Sequence, residues 1–143
     1  SKKMDQWTAS NMRKVDRAFF LSIFTRDMPG TSEDGVAEAL ADTQLAICDA
    51  VPTGTYVDMC SKLPVCDPTR IDCPVLIIRG EHDGIATEED LLNYFNLLPN
   101  RNKQFAIMAG QAHVSHLGVN RARFWHVVRR FLEMPERIDE SGL

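Results

Sequence analysis

Pro74-Val75-Leu76-Ile77-Ile78-Arg79-Gly80-Glu81-His82-Asp83-Gly84 decides the fold of this chain. A continuous apolar run bounded by proline and glycine is the pattern of a strand covered on both faces of a parallel sheet. Beyond it the period changes. Thr87 followed by Glu88, Glu89 and Asp90 has the form of a helix start with a capping-box-like pattern, and Leu91, Leu92, Phe95 and Leu98 give the buried stripe. Pro99-Asn100 closes that helix, and Gln104-Phe105-Ala106-Ile107-Met108 reads as the next strand. Asn120 can cap a last helix that buries Phe124, Val127, Val128, Phe131 and Leu132. Strand, helix, strand, helix is a βαβ unit with one helix appended, which predicts an α/β fold.

The first half reads as helical. Met12, Val15, Phe19, Phe20 and Ile23 recur at steps of three and four, predicting one helix from Trp7 through Met28 that Met28-Pro29-Gly30 stops. Thr31 or Ser32 can cap a second helix with Glu33 and Asp34 in its first turn and Val36, Leu40 and Ile47 on its buried face. Pro52 and Gly54 interrupt, a short third helix spans about Thr55 to Lys62, and Pro64 and Pro68 mark the exit loop. The chain therefore divides into a helical region, residues 1–63, and an α/β region, residues 64–143.

With 143 residues, 44% hydrophobic and 25% charged, the composition is that of a globular protein with a real core. A net charge of −4 gives no footprint for a nucleic-acid partner. Arg121, Arg123, Arg129 and Arg130 are spread along one helix and suit a solvated face. No apolar run approaches the roughly 18 residues of a membrane span, and no basic-then-apolar leader stands at the amino terminus. A cytoplasmic location follows as the expectation. Cys48, Cys60, Cys66 and Cys73 are too widely spaced for a C-x-x-C zinc or redox motif, so free thiols are expected, a disulfide among them being the lesser reading.

Chemistry concentrates in two short segments thirty residues apart, each following a strand. Asp83 stands in Gly80-Glu81-His82-Asp83-Gly84, where glycines let the chain turn and aim a carboxylate across the sheet's end. His113 stands in Ala109-Gly110-Gln111-Ala112-His113, followed by Val114-Ser115-His116. Alone, Asp83 could be a turn aspartate bonding its own backbone, and His113 a half-buried structural histidine. Glu81 is the substitute acid, and His116, then His82, the substitute bases. His113 and His116 are three apart in a loop, a weak start for zinc, which wants three ligands and an open position. Ser115 reads as a backbone-capping or surface serine.

These motifs, from about Ile71 to Met134, resemble the C-terminal end of the α/β-hydrolase fold, in which one strand ends in the triad acid and the next in the catalytic histidine. Ala112 replaces the second glycine of that family's G-x-G-H turn. The resemblance implies His113 as general base and acid and Asp83 as the group that orients it. It implies no dissociable cofactor. It also implies a helical cap over residues 1–63, to which Phe19, Phe20, Phe24, Met28, Tyr56 and Met59 would contribute as a lid, although such a stripe is also ordinary core. The family's nucleophile sits in a G-x-S-x-G elbow. Ser1, Ser10, Ser22, Ser32, Ser61, Ser115 and Ser141 all lack it.

A two-stranded parallel sheet leaves open edges, and Val75 to Ile78 is too apolar for an edge facing water. One missing piece accounts for both the orphan strand and the orphan acid and base. The expectation is a split or processed hydrolase fragment, in which a second polypeptide supplies the neighbouring strands, the serine nucleophile and the oxyanion hole. Trp7 and Asp5 are candidates for that joint. The assembled enzyme would cleave an ester, thioester or related acyl bond of a small-molecule substrate. Aspartate-nucleophile dehalogenases and epoxide hydrolases, C–C hydrolases and cofactor-free haloperoxidases share the fold. A non-catalytic structural or regulatory subunit is the alternative from another class.

Overall fold

The computed structural model describes residues 2–135. Among them the chain is mixed α/β: six α-helices and two small two-stranded sheets, one of them a parallel pair. The parallel pair is β3 (Val75–Gly80) with β4 (Lys103–Met108), in register from Val75 against Lys103 to Gly80 against Met108. Between them runs α5 (Glu88–Leu97), and α6 (Arg121–Leu132) follows. Thr87 caps α5 as its position suggests, its hydroxyl oxygen accepting from the Asp90 N–H at 3.1 Å, while three acidic residues occupy the positive first turn.

Several details of this half differ from the sequence expectation. Val75 to Ile78 are half-buried rather than covered on both faces, because the sheet has only two strands among the described residues. Asn120 precedes α6 but its side chain does not cap it; the amide reaches back to the Gly110 carbonyl at 3.5 Å. On α5 Leu91 and Phe95 are half-buried and Leu98, just past its end, is buried, but Leu92 is exposed; on α6 Phe124, Val127, Val128 and Phe131 are half-buried, whereas Leu132, in the last turn, is exposed.

The first half is less helical than its periodicity suggests. In place of one helix across Trp7–Met28 there are α1 (Lys2–Ala9), β1 (Met12–Lys14) and α2 (Arg17–Thr25). Asp16 explains the break. It is extended, and its carboxylate accepts the Phe19 N–H at 2.8 Å, so α2 starts there. β1 pairs antiparallel with β2 (Ala50–Pro52), Arg13 lying opposite Val51. That partner is nearly forty residues away and leaves no local trace in the sequence.

Between these strands α3 (Val36–Ile47) packs on α2; after β2, α4 (Gly54–Ser61) packs on α1, with Trp7 5.3 Å from the Tyr56 ring. Gly35, at φ 84°, precedes α3 in place of a Thr31 or Ser32 cap. The buried residues of α3 are Ala37 and Ala41, and Ala41 meets Phe20 of α2, where a small residue lets the backbones approach. Val36, Leu40 and Ile47 lie about 100° or more around the helix from Ala41. Val36 and Leu40 are half-covered there, and Ile47 is 77% exposed. Val15, Phe20 and Ala41 form a core with Phe19, Leu21, Ile23, Leu40, Leu45 and Val51 around it.

The α2–α3 connection joins this half to the sheet. Ser32 forms an isolated bridge with Gly118, the Val119 N–H donates to the Thr31 carbonyl at 2.9 Å, and Glu33 pairs with Arg121 at 2.6 Å. The Asp27 carboxylate lies so close to Gly84 that a Cβ there would be 2.7 Å from its oxygen. Residues 27–33 thus touch both loops that leave the carboxyl ends of β3 and β4.

Candidate active site

Both strands of a parallel pair end on the same side, so the loops after β3 and β4 are neighbours by topology. The β3 loop turns at once: the Asp83 N–H donates to the Gly80 carbonyl at 3.1 Å. The β4 loop turns through Gly110, at φ 69°, where a left-handed backbone suits glycine. The two loops touch at Gly80. A Cβ there would collide with the Ala112 carbonyl oxygen and lie 2.6 Å from that of Gln111. Backbone bonds cross the same gap, from Glu81 N–H to the Met108 carbonyl at 3.0 Å and from His82 N–H to the Gln111 carbonyl at 2.9 Å.

This frame brings Asp83 and His113 together. The imidazole Nδ1 is 3.1 Å from each Asp83 carboxylate oxygen. The Asp83 side chain is 9% exposed and that of His113 38%. Oδ1 also accepts the Ile85 N–H at 2.8 Å and the Ala86 N–H at 3.4 Å. Asp83 is therefore both the turn aspartate and the histidine's partner. Burial is the largest single influence on its carboxyl and raises the pKa. The Ile85 N–H, the His113 hydrogen bond and charge, and the Ala86 N–H together outweigh it and hold the carboxyl below its ordinary value. An ionised carboxylate only accepts, so the shared proton belongs to Nδ1 and the free lone pair of a neutral imidazole to Nε2.

The competing residues have other employment. Glu81 accepts the Gly110 N–H at 2.8 Å through Oε2, and His82 Nε2 lies 3.7 Å from the same oxygen. His116 packs on the Phe124 ring at 6.1 Å between centroids, and its carbonyl accepts the Trp125 indole N–H at 3.1 Å. Ser115 is 4% exposed and donates to the Ala112 carbonyl at 2.7 Å, a backbone-bonded serine that steadies the histidine loop.

Three contributors carry no local signal in the sequence. Arg79 is buried at the end of β3, and its guanidinium donates to the Asp83 carbonyl at 2.8 Å and the Glu81 carbonyl at 3.5 Å, holding the acid loop from below. Gln111, 1% exposed, donates to the Asn120 carbonyl at 3.1 Å and ties the histidine loop to the start of α6. Asp27 borders the acid loop at Gly84, with Arg26 Nε 3.5 Å from its Oδ1. The Asp27 contact needs distant segments to meet, and the Arg79 and Gln111 bonds need the turns that follow β3 and β4.

The proposed lid residues divide. Phe20 and Phe24 are buried, Met28 and Met59 are exposed, and the Tyr56 hydroxyl accepts from Arg13, whose guanidinium carbon lies 4.6 Å and 4.7 Å from the Phe19 and Tyr56 ring centroids. Among the described residues no three His, Cys, Asp or Glu side chains converge as a metal-ligand group, and the four cysteines are exposed free thiols. No helix among them is long and apolar enough to cross a membrane. No protein-family model matches the chain, and no curated protein matches it.

Proposed function

We propose that this chain is the C-terminal part of an α/β-hydrolase-fold enzyme, with a cap over residues 1–63, that supplies the acid and base to a serine on a partner chain and cleaves an ester, thioester or related acyl bond. The observation that carries this reading is the Asp83–His113 pair, 3.1 Å apart on loops that leave adjacent parallel strands at the same end. His113 Nε2 takes the nucleophile's proton and returns it to the leaving group. Asp83 fixes the tautomer and stabilises the imidazolium. The tetrahedral oxyanion is held by backbone N–H groups of the partner. Ser115 is not the nucleophile in this reading, because its hydroxyl is buried and already donates. Among the described residues β3 and β4 each leave one strand edge open, which supports the partner.

Native mass spectrometry of the untagged protein from its source, followed by denaturing mass analysis, tests the assembly. The expected result is polypeptide mass beyond 16.1 kDa that carries a G-x-S-x-G elbow. A stable, folded 16.1 kDa species alone sinks the partner. Labelling of the assembly with a fluorophosphonate then separates a serine hydrolase from a non-catalytic subunit: an elbow serine that stays unlabelled argues for the latter.

A further inference from the structure

We infer that Glu81 is a positioning residue for the Asp83–His113 pair, acting as a carboxylate strap between the two loops; this rests on the reading of that pair as orienter and base. Four links join the loops. Two are backbone bonds, Glu81 N–H to Met108 and His82 N–H to Gln111, and one is the Asp83–His113 contact itself. The fourth is the Glu81 Oε2 bond from the Gly110 N–H at 2.8 Å. It is the one link of the four in which a side chain holds the turn that aims the histidine.

Its placement gives the strap leverage. Gly110 is the residue at φ 69° where the chain reverses after β4, and His113 is three residues further on. The backbone bonds grip the histidine loop on either side of that reversal, at Met108 and Gln111. Without an acceptor from Glu81 the Gly110 N–H turns to solvent, and the reversal is left to the longer bonds from the Gln111 N–H to the Met108 carbonyl at 3.3 Å and from the Asn120 amide to the Gly110 carbonyl at 3.5 Å. A histidine held at 3.1 Å from both carboxylate oxygens is sensitive to such a change, because hydrogen-bond attraction falls steeply with distance and angle. The bond is charge-assisted, and a peptide N–H facing a carboxylate is among the stronger protein hydrogen bonds. His82 Nε2 lies 3.7 Å from the same Oε2, so a backbone donor and an imidazole both approach this one oxygen.

Long-range ¹H–¹⁵N NMR of histidine-labelled protein, in the assembly in which it purifies, reads the tautomer of His113 at a pH where the ring is neutral. Assignment uses His113→Gln. The wild type is expected to hold the Nδ1–H tautomer and Asp83→Asn to lose it. Glu81→Ala is expected to shift His113 to a tautomer mixture, with the circular dichroism spectrum unchanged. Glu81→Gln, whose amide oxygen can still accept from Gly110, is expected to restore the wild-type signature. Retention of that signature in Glu81→Ala overturns the strap while leaving the acid–base pair standing. A wild-type spectrum identical to that of Asp83→Asn overturns the pair itself, and the strap with it. If Glu81→Ala does not fold, Glu81→Asp carries the test, keeping the charge but withdrawing the acceptor by one methylene; a wild-type tautomer there overturns the strap.

Discussion

Asp83 serves its own turn and its partner loop with the same two oxygens, and this double use fixes what its removal does. Its carboxyl is held below the ordinary value, so it stays charged across the neutral range. A depressed folded pKa means that the stability it contributes is fully present above the unfolded carboxyl value of about 4 and is lost as pH falls through the lower folded value. Denaturant melts of wild type and Asp83→Asn at a series of pH values should show a gap that is constant above about pH 5 and closes toward pH 2. A gap that widens on acidification contradicts the assignment. In activity the same substitution is expected to cost about 10⁴-fold in turnover, by analogy with the buried aspartate of a serine-protease triad. His113→Ala is expected to remove nearly all turnover with the fold intact. Loss below tenfold for Asp83→Asn removes Asp83 as the orienter. Near-normal kcat in His113→Ala, with His116 packed on Phe124, removes the proposed acid–base chemistry from this end of the sheet.

At the scale of elements, the site depends on how closely β3 may end against the loop after β4. Gly80→Ala places a methyl against two carbonyl oxygens, and backbone cannot swing aside as a side chain can. Overpacking of this kind costs about 1–3 kcal/mol. The check is a lower urea midpoint for Gly80→Ala than for Gly84→Ala, where the methyl meets only the Asp27 carboxylate. Equal midpoints contradict the close approach. Much of this half was legible in the sequence, because β3, β4, the Thr87 cap and the carboxylate and histidine beyond the strands are local patterns. The tie from Gln111 to Asn120 and the grip of Arg79 on the acid loop were not, since each needs a backbone path that only folding supplies. In the first half the same periodicity that marks α2 also runs through Met12 and Val15. There the extended Asp16 cap and the pairing of β1 with β2 override it, and pairing across such a distance has no local signature.

For the whole molecule, the edge of β3 that no strand occupies among the described residues is where the proposed assembly can be tested most directly. In a parallel ladder alternate residues of a strand bond to one neighbour and those between them face the other way. Val75 N–H donates to the Asn102 carbonyl, and Glu81 N–H donates to Met108, so the odd-numbered residues of β3 face β4. The N–H groups of Leu76 and Ile78 therefore point toward the open edge. Left to water on a strand of this apolarity, they form a template for pairing. If a partner's strand occupies that edge, hydrogen exchange in the purified assembly should protect Leu76 and Ile78 as strongly as Ile77 and Arg79. After dissociation in mild denaturant, the first two should become the fastest-exchanging amides of the strand while Ile77 and Arg79 keep theirs through β4. Fast exchange at Leu76 and Ile78 in the intact assembly contradicts a partner strand at β3. It would leave a two-stranded sheet with Asp83 and His113 at its end and no neighbouring strand on that side to bring them a nucleophile.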